Sequence, residues 1–571
     1  MKMTGAQIFL EMLRLYEVRH VFGLPGETTL ALYKYWTQCP DIRHILTHDE
    51  RSAAFMAEAY AKVTGRVGVS EAPSPGGAHP APGVLESQTS AVPTVCFTSD
   101  VPWNNDKRNM LSAFDQNGLY RAITKESLMV TKAKDLPFII RRAFRTATAD
   151  KPGAVHVKIP MDVFKEDTEV TDLYADPCGS RWPAWRPVAD FGQIEKAIDL
   201  LAAAKAPVIV CGKGALDSGA GEAVTKLAEM LQIPIGTTMS AKGAISEAHP
   251  LSIRVIGSRG GTSFSNQFIK DADLVFFIGS NTDSAGTDGW QLPSRTDPPK
   301  IIHLDISGVE AGNNYPLQAV LVGDAKATVE FMNERIVQRG VRSKAENACK
   351  VVPAMKALDD YAAEQEKLAM QKINPLRLVR TIHSLINDDA YIVLEPSIGS
   401  VTALAFMKQT KPGRKYITNY SHGALGYAAP ASLAVAVAHP EATVVAVDGD
   451  GSFHFACGEL ETISRCNANI KLILLRNDVF GWIKGETRHV YHAPFFATNF
   501  DKTDYCKVAE GFGLKAFRVT KEEELEPVLK EAFSTSGPVL VEVAVPDESN
   551  VVPPVPRWIP SAKENDCPFF Y

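Results

Sequence analysis

Short, almost wholly apolar runs rich in Val and Ile recur along this chain, each ending near a Gly or Asp and each followed by a helix-compatible stretch. Examples are VGVSEAP from Val67, PVIVCG from Pro207, LVFFIG from Leu274, TVVAVDGDG from Thr443 and KLILLRND from Lys471. A strand with one face in water alternates apolar and polar residues. A continuous apolar run instead marks a strand buried on both faces, which means a parallel sheet covered by helices. Helical patterns such as GEAVTKLAEMLQ from Gly221 and KEEELEPVLKEAF from Lys521 lie between the runs. The alternation predicts an α/β protein built from doubly wound parallel sheets.

The chain has 571 residues, enough for three or four domains at roughly 150 residues each. Two stretches interrupt the strand–helix rhythm. Residues 166–190 mix acids, prolines and tryptophans and read as a linker, and residues 340–372 are charged and helix-compatible and read as a second connection. The expected domains are therefore 1–165, 190–340 and 370–548, with a tail at 549–571. Pro553, Pro554, Pro556 and Pro560 forbid a helix at the start of that tail. Its aromatic residues Trp558, Phe569, Phe570 and Tyr571 are expected to pack on the body or to close over a cleft as a lid.

The charge balance of 60 basic against 66 acidic residues argues against nucleic acid as the main partner, because such binders carry a basic face. No run approaches the roughly 20 apolar residues that span a bilayer. The nine cysteines include no C-x-x-C pair, which fits free thiols in a reducing compartment and a cytoplasmic enzyme.

The segment richest in chemistry is Gly449-Asp450-Gly451, at the end of one apolar run; 24 residues later come Arg476, Asn477 and Asp478, at the end of the next. Neighbouring parallel strands open a ligand crevice at their carboxyl ends, so Asp450 and Asn477 are expected to face one another there. Hard oxygen donors suit Mg²⁺, and the glycines let a phosphate approach the backbone. A plain D-G turn is the alternative. The pattern resembles the thiamine diphosphate (ThDP) motif, GDG followed by Asn-Asn, in which the Asp, the second Asn and a carbonyl two residues on bind Mg²⁺. The resemblance implies Asp450, Asn477 and the carbonyl of Val479 as metal ligands, with Gly449, Gly451 and Ser452 beside the cofactor; Arg476 departs from the motif at the first Asn.

Two further segments carry the same resemblance. VFGLPGETTLALYKYW from Val21 and HDERSAAFMAEAYAKVTG from His48 resemble the opening and the E-x-x-A-A-x-M-A-x-x-Y-A helix of the acetolactate synthase, pyruvate decarboxylase and oxalyl-CoA decarboxylase-like group. In that family the Glu, Glu50 here, bonds the aminopyrimidine ring and favours the tautomer that removes the C2 proton. SHGALGYAAPASLAVAVA from Ser421 resembles the helix that enters the GDG strand, and it implies Leu425 as the wedge that bends the cofactor. The resemblance further implies pyrimidine-binding, central and diphosphate-binding domains, and an active site shared between subunits of a homodimer or homotetramer.

The residues around these motifs bear on the reaction. His79, in Ser74-Pro75-Gly76-Gly77-Ala78-His79, is placed near the reacting carbon, as a proton shuttle or as a structural histidine. Phe114 is expected to line the pocket and Gln116 to reach substrate. Trp482 and His422 are expected at the cavity, and Glu486, nine residues after Asn477, is a candidate acid/base or an ordinary helix glutamate paired with Lys484 or Arg488. The central domain is open between FAD, an ADP or CoA nucleotide and no ligand: Gly279–Ser284 lacks the arginine of flavin-binding members, while Lys213, Arg254 and Arg259 would serve a nucleotide. The first reading is a ThDP- and Mg²⁺-dependent lyase or carboligase acting on a 2-oxo acid. The alternatives are a 2-hydroxyacyl-CoA lyase taking an acyl-CoA, a flavin-dependent pyruvate oxidase-like enzyme and a non-catalytic ThDP-binding protein.

Overall fold

The computed structural model describes residues 2–547 and 551–570. A short strand β1 (Lys2–Thr4) leads into the first sheet, made of β2 (His20–Gly23), β3 (Arg43–Leu46), β4 (Gly68–Ala72), β5 (Thr94–Asp100), β6 (Glu126–Met129) and β7 (Ala154–Pro160). The stretch read as a linker starts with β8 (Asp167–Glu169), which pairs antiparallel with β1. The second sheet holds β9 (Pro207–Cys211), β10 (Ile235–Thr237), β11 (Ser252–Val255), β12 (Leu274–Ile278), β13 (Lys300–Asp305) and β14 (Ala319–Val322). The third holds β15 (Tyr391–Leu394), β16 (Tyr416–Thr418), β17 (Val444–Gly449), β18 (Ile470–Arg476), β19 (Lys515–Val519) and β20 (Val539–Ala544).

All three six-stranded sheets are parallel throughout, as the apolar runs predict. The first and third share one topology, with orders β3-β2-β4-β5-β7-β6 and β16-β15-β17-β18-β20-β19; the second runs β11-β10-β9-β12-β13-β14. In the first and third sheets the central strands β5 and β18 are buried along their whole length, which is why their sequences show no polar alternation.

Helix Glu50–Thr64 of the first domain packs on helix Ala428–Ala438 of the third. Both are rich in alanine, so their backbones approach closely, and Phe55 meets Tyr427 edge-on with ring centroids 5.3 Å apart. A second buried cluster joins Val275 and Phe277 of β12 to Val447 of β17 and Ile473 of β18. The connection 340–372 contains helix Val351–Gln365, whose Leu358 belongs to that cluster. In the tail, Trp558 and Phe570 are buried; positions 549, 550 and 571, including Tyr571, lie outside the described residues. Among the described residues no helix is long and apolar enough to cross a membrane, and all nine cysteines are free thiols.

Candidate active site

Strands β17 and β18 lie side by side in register, Gly449 opposite Leu475, so their carboxyl ends deliver Asp450 and Asn477 to the same edge of the sheet. The Asp450 carboxylate is fixed by backbone: its Oδ2 accepts from the amides of Asn477 at 2.9 Å and Asp478 at 2.7 Å, and its Oδ1 from Gly451 at 2.9 Å. Asp478 takes a left-handed φ of 63°, which turns the chain so that two successive amides reach one oxygen. A side chain at Gly451 would press into Phe480, 2.8 Å from its ring. Arg476, the departure from the motif, is buried and ion-paired with Glu542 at 2.9 Å and Asp478 at 3.4 Å. It clamps β18 to β20 and leaves Asn477 in place.

Above this turn lies a cavity of about 460 Å³, within the range of small-molecule sites. Gly449, Asp450, Gly451, Ser452, Asn477 and Val479 all line it, as do Leu425, His422 and Trp482 from the second set of expectations. The loop carrying His422 and Leu425 is held by two buried glutamates that sequence reasoning did not single out. Glu86 accepts from the amides of His422 at 2.8 Å and Gly423 at 3.1 Å. Glu395, at the end of β15, accepts from Gly426, Tyr427 and Ala428 at 2.9, 2.8 and 2.7 Å. A carboxylate closing the apolar run YIVLE was the available signal for Glu395; Glu86 lies inside an ordinary helix and offered none.

Asp450 lines the cavity, and Asp448 and Glu395 are buried outside its lining. Burial pushes Asp450 up to about 6, against the pull of the Asp478 and Asn477 amides. Burial also pushes Asp448 up to about 7, with its Ser452 hydrogen bond opposing and Asp450 adding to the rise. Glu395 is driven well above the ordinary carboxylate range by burial and then by Asp448. Of these carboxyls only Asp450 lines the cavity, an oxygen donor of the kind a divalent cation takes.

The first-domain residues stand apart from this cavity, whose lining begins at Arg259 and includes nothing from the first sheet or its helices. Glu50 opens its helix behind the N-cap Asp49 and is buried, while His79 Nδ1 meets Glu50 Oε2 at 2.9 Å with most of the imidazole exposed. A Cβ at Gly76 would overlap Glu50 Oε1, so the turn is cut to the shape of that carboxyl. Phe114 is half-buried, two residues after the Ser112 carbonyl that accepts from the Ser74 hydroxyl, and Gln116 is wholly buried. Gln116 is bonded to the Thr98 hydroxyl and donates to the Ser99 carbonyl at 2.9 Å, and it packs against Gly77. Its amide is thus spent on holding the turn.

Glu486 does not line the cavity; it pairs with Arg557 of the tail, and Lys484 pairs with Asp547 at 2.8 Å. The helix pairings expected within Gly481–His489 give way to contacts with later segments because Trp558 packs on Gly485 and on Trp482, with ring centroids 4.8 Å apart. A second cavity of about 130 Å³ opens at the carboxyl ends of the central sheet, beside Gly279–Asn281 and Asp283. Of the three basic residues assigned to a nucleotide there, only Lys213 lines it, bonded to Asp217. Arg254 is forked onto Asp359 at 2.8 and 2.9 Å, and Arg259 belongs to the larger cavity. The charged residues lining the smaller cavity are mostly acidic, with Asp150, Asp217, Asp283, Glu310 and Asp324 beside an Asp305 that burial pushes up to about 6, against Lys151 and Lys213.

Comparison with known proteins gives this geometry a context. Residues 3–119 match the N-terminal binding domain of thiamine pyrophosphate enzymes, residues 194–332 their central domain, and residues 397–543 their C-terminal binding domain. A probable acetolactate synthase large subunit from Methanococcus aeolicus is 30% identical, with 97% of this chain and 94% of that one covered. An acetolactate synthase from Arthrospira platensis is 30% identical over 97% of this chain and 96% of its own. The mitochondrial acetolactate synthase catalytic subunit of Saccharomyces cerevisiae is 30% identical over 97% and 82%. Three parallel sheets, an acidic turn between two of their strands and matches in all three domains carry one conclusion: this chain belongs to the thiamine pyrophosphate enzyme family.

Proposed function

We propose that the protein is a ThDP- and Mg²⁺-dependent lyase or carboligase that breaks or makes a carbon–carbon bond next to a carbonyl, with a 2-oxo acid as the decarboxylated substrate. The observation that carries this reading is the Asp450–Asn477 edge of the third sheet, which sets a carboxylate and an amide side by side in one cavity. Asp450, Asn477 and the carbonyl of Val479 would hold Mg²⁺, and the Gly449–Ser452 turn would receive the diphosphate. Leu425, on a loop tied down by Glu86 and Glu395, would support the cofactor from the side. When bound, ThDP supplies the electron sink that the protein's own side chains lack.

Glu50 would bond the aminopyrimidine and move a proton at its ring nitrogen, with His79 holding the carboxyl in position at 2.9 Å. Because the cavity of one chain has no residue from the first domain, Glu50 would come from a second copy, which makes the working unit a homodimer or an assembly of dimers. Relatives carrying the acetolactate synthase name support decarboxylation followed by ligation.

The test is CO₂ release from a panel of 2-oxo acids, with and without ThDP and Mg²⁺. Release that requires both and stops on adding EDTA is the expected result, and the best acid identifies the donor. A protein that binds ThDP yet releases CO₂ from no acid would overturn the decarboxylation and leave cleavage of an acyl-CoA or hydroxyketone.

A further inference from the structure

Strand β7 is buried along its whole length, and between Val155 and Val157 it carries His156, which has no exposed surface. A buried imidazole costs free energy unless both ring nitrogens find partners. Both do. Nε2 lies 2.7 Å from the Thr98 hydroxyl of β5, and Nδ1 lies 2.8 Å from the hydroxyl of Ser127, its register partner on β6.

These partners fix the place of every proton along the chain of bonds. Gln116 donates its amide to the Ser99 carbonyl at 2.9 Å, so its oxygen turns to Thr98, where it can only accept. The Thr98 hydroxyl therefore donates to Gln116, and its oxygen receives the proton of His156 Nε2. At the other end Asn117 donates to the Ser127 oxygen at 2.8 Å, which leaves the Ser127 proton for Nδ1. The ring is thus neutral and held in one tautomer. Burial, with Lys158 adding to the effect, lowers its pKa to about 3.

Gln116, Asn117 and Tyr120 all come from one short helix, Gln116–Arg121. His156 holds that helix through Thr98, through Ser127 and by the Tyr120 ring stacked on its own, with centroids 4.0 Å and planes 14° apart. The helix in turn backs the turn beside Glu50. Tyr120 donates to the Gly77 carbonyl at 2.8 Å, and a Cβ on Gly77 would come within 3.3 Å of the Gln116 amide. Gly76, the residue before, leaves no room for a Cβ beside the Glu50 carboxyl. The larger cavity's lining contains none of these side chains, so any effect they have on chemistry passes through Glu50.

A leucine at position 156 would fill β7 without needing a partner. What the polar chain supplies instead is direction, since a fully bonded network specifies one arrangement of the groups around it. Proton transfer rewards that, because misplacing a reacting group by about 1 Å costs on the order of 100-fold in rate.

We propose that His156 and Thr98 are positioning residues for proton transfer: the chain His156–Thr98–Gln116 locks the Gly76–Gly77 turn and so holds the Glu50 carboxyl where it meets the cofactor's ring nitrogen, a role that rests on the ThDP reading above.

The test uses the full-length protein loaded with ThDP and Mg²⁺, without substrate. Exchange of the cofactor's C2 proton for deuterium is timed by acid quench and proton NMR, and ThDP affinity is titrated on the same samples. Wild type is compared with His156→Phe, which keeps a ring against Tyr120 and loses both hydrogen bonds. Thr98→Val and Thr98→Ser complete the set, and only the second keeps the hydroxyl. Exchange should slow about 10- to 100-fold in His156→Phe and Thr98→Val. ThDP affinity should stay nearly unchanged, because the metal and diphosphate ligands proposed above belong to the third domain. Thr98→Ser should stay close to wild type. Glu50→Gln should exchange slowly by itself, and adding Thr98→Val to it should slow exchange no further, since a residue that acts through Glu50 then has nothing to position.

Wild-type exchange in both His156→Phe and Thr98→Val would overturn the proposal. Equal slowing in Thr98→Val and Thr98→Ser would overturn it by tracing the effect to packing, and an undiminished further loss on Glu50→Gln would do so by tracing it to the fold at large. If His156→Phe does not fold, the two Thr98 variants decide alone. Glu50→Gln exchanging as fast as wild type would remove the Glu50 assignment and this role with it. Wild type that binds no ThDP would sink the cofactor reading as well, a result distinct from all the others.

Discussion

At Gly76 a single hydrogen atom decides whether Glu50 keeps its place, because a methyl group there would overlap the Glu50 carboxyl. If that carboxyl is the group that moves the cofactor's proton, Glu50→Gln keeps the shape and removes the chemistry. The expected result is a fall in kcat of about 10²–10⁴, the usual worth of a general acid–base, with ThDP affinity changed only a few-fold in a binding titration. Full activity in that variant would overturn the assignment. Gly76→Ala should reproduce much of the loss by displacing Glu50 while its thermal unfolding stays close to wild type, since the turn's anchors, Ser74 to Ser112 and Tyr120 to Gly77, remain. Glu50 was legible only through the resemblance of the segment from His48 to a family helix, since a lone Glu opening a helix is otherwise an ordinary dipole partner. The roles of Glu86, which holds the cavity's loop, and Arg259, which lines the cavity, were not legible, because they exist only through partners far away in sequence, His422 for Glu86 and Trp482 for Arg259. Gln116 and Glu486 show the converse: each lies at a suggestive spacing, and each is engaged by a neighbour, Ser99 or Arg557, that spacing does not reveal.

Among the elements, strands were read more easily than the loops that make the site. β17 and β18 declare themselves because a strand buried on both faces leaves no room for polar residues, and adjacency of their ends followed from the parallel sheet. The loop between β16 and helix Ala428–Ala438 has no such signature, since its path is set by buried carboxylates of other elements. Glu395 is the main one. In Glu395→Ala three amides, those of Gly426, Tyr427 and Ala428, lose their acceptor in a dry interior, at about 1–3 kcal/mol for each unsatisfied group. Urea unfolding should show a loss of about 3 kcal/mol or more, and the folded fraction should bind ThDP poorly because Leu425 is no longer held. A variant with wild-type stability and ThDP affinity would show that the loop needs no such tether. Glu395→Gln, which keeps an acceptor oxygen, should lie between the two.

For the whole molecule, the first and third sheets share one strand order, yet they divide the labour: the first presents Glu50 and the third encloses the cavity. Helix Glu50–Thr64 is already packed on helix Ala428–Ala438 of its own chain, and that packing leaves Glu50 outside its own chain's cavity. A shared site therefore predicts complementation between two dead variants. Asp450→Ala removes the carboxylate at the cavity floor and should lose ThDP retention; a normal binding isotherm for it would sink the Mg²⁺ assignment. Glu50→Gln should keep ThDP and lose turnover. When the two are co-expressed in equal amounts, a hybrid dimer pairs the intact Asp450 of one chain with the intact Glu50 of the other, and its second site carries both defects. Random pairing makes half the dimers hybrids with one working site in two, so the mixture should recover about a quarter of wild-type activity in an isologous dimer. Active sites complete within single chains would leave the mixture as inactive as either variant alone.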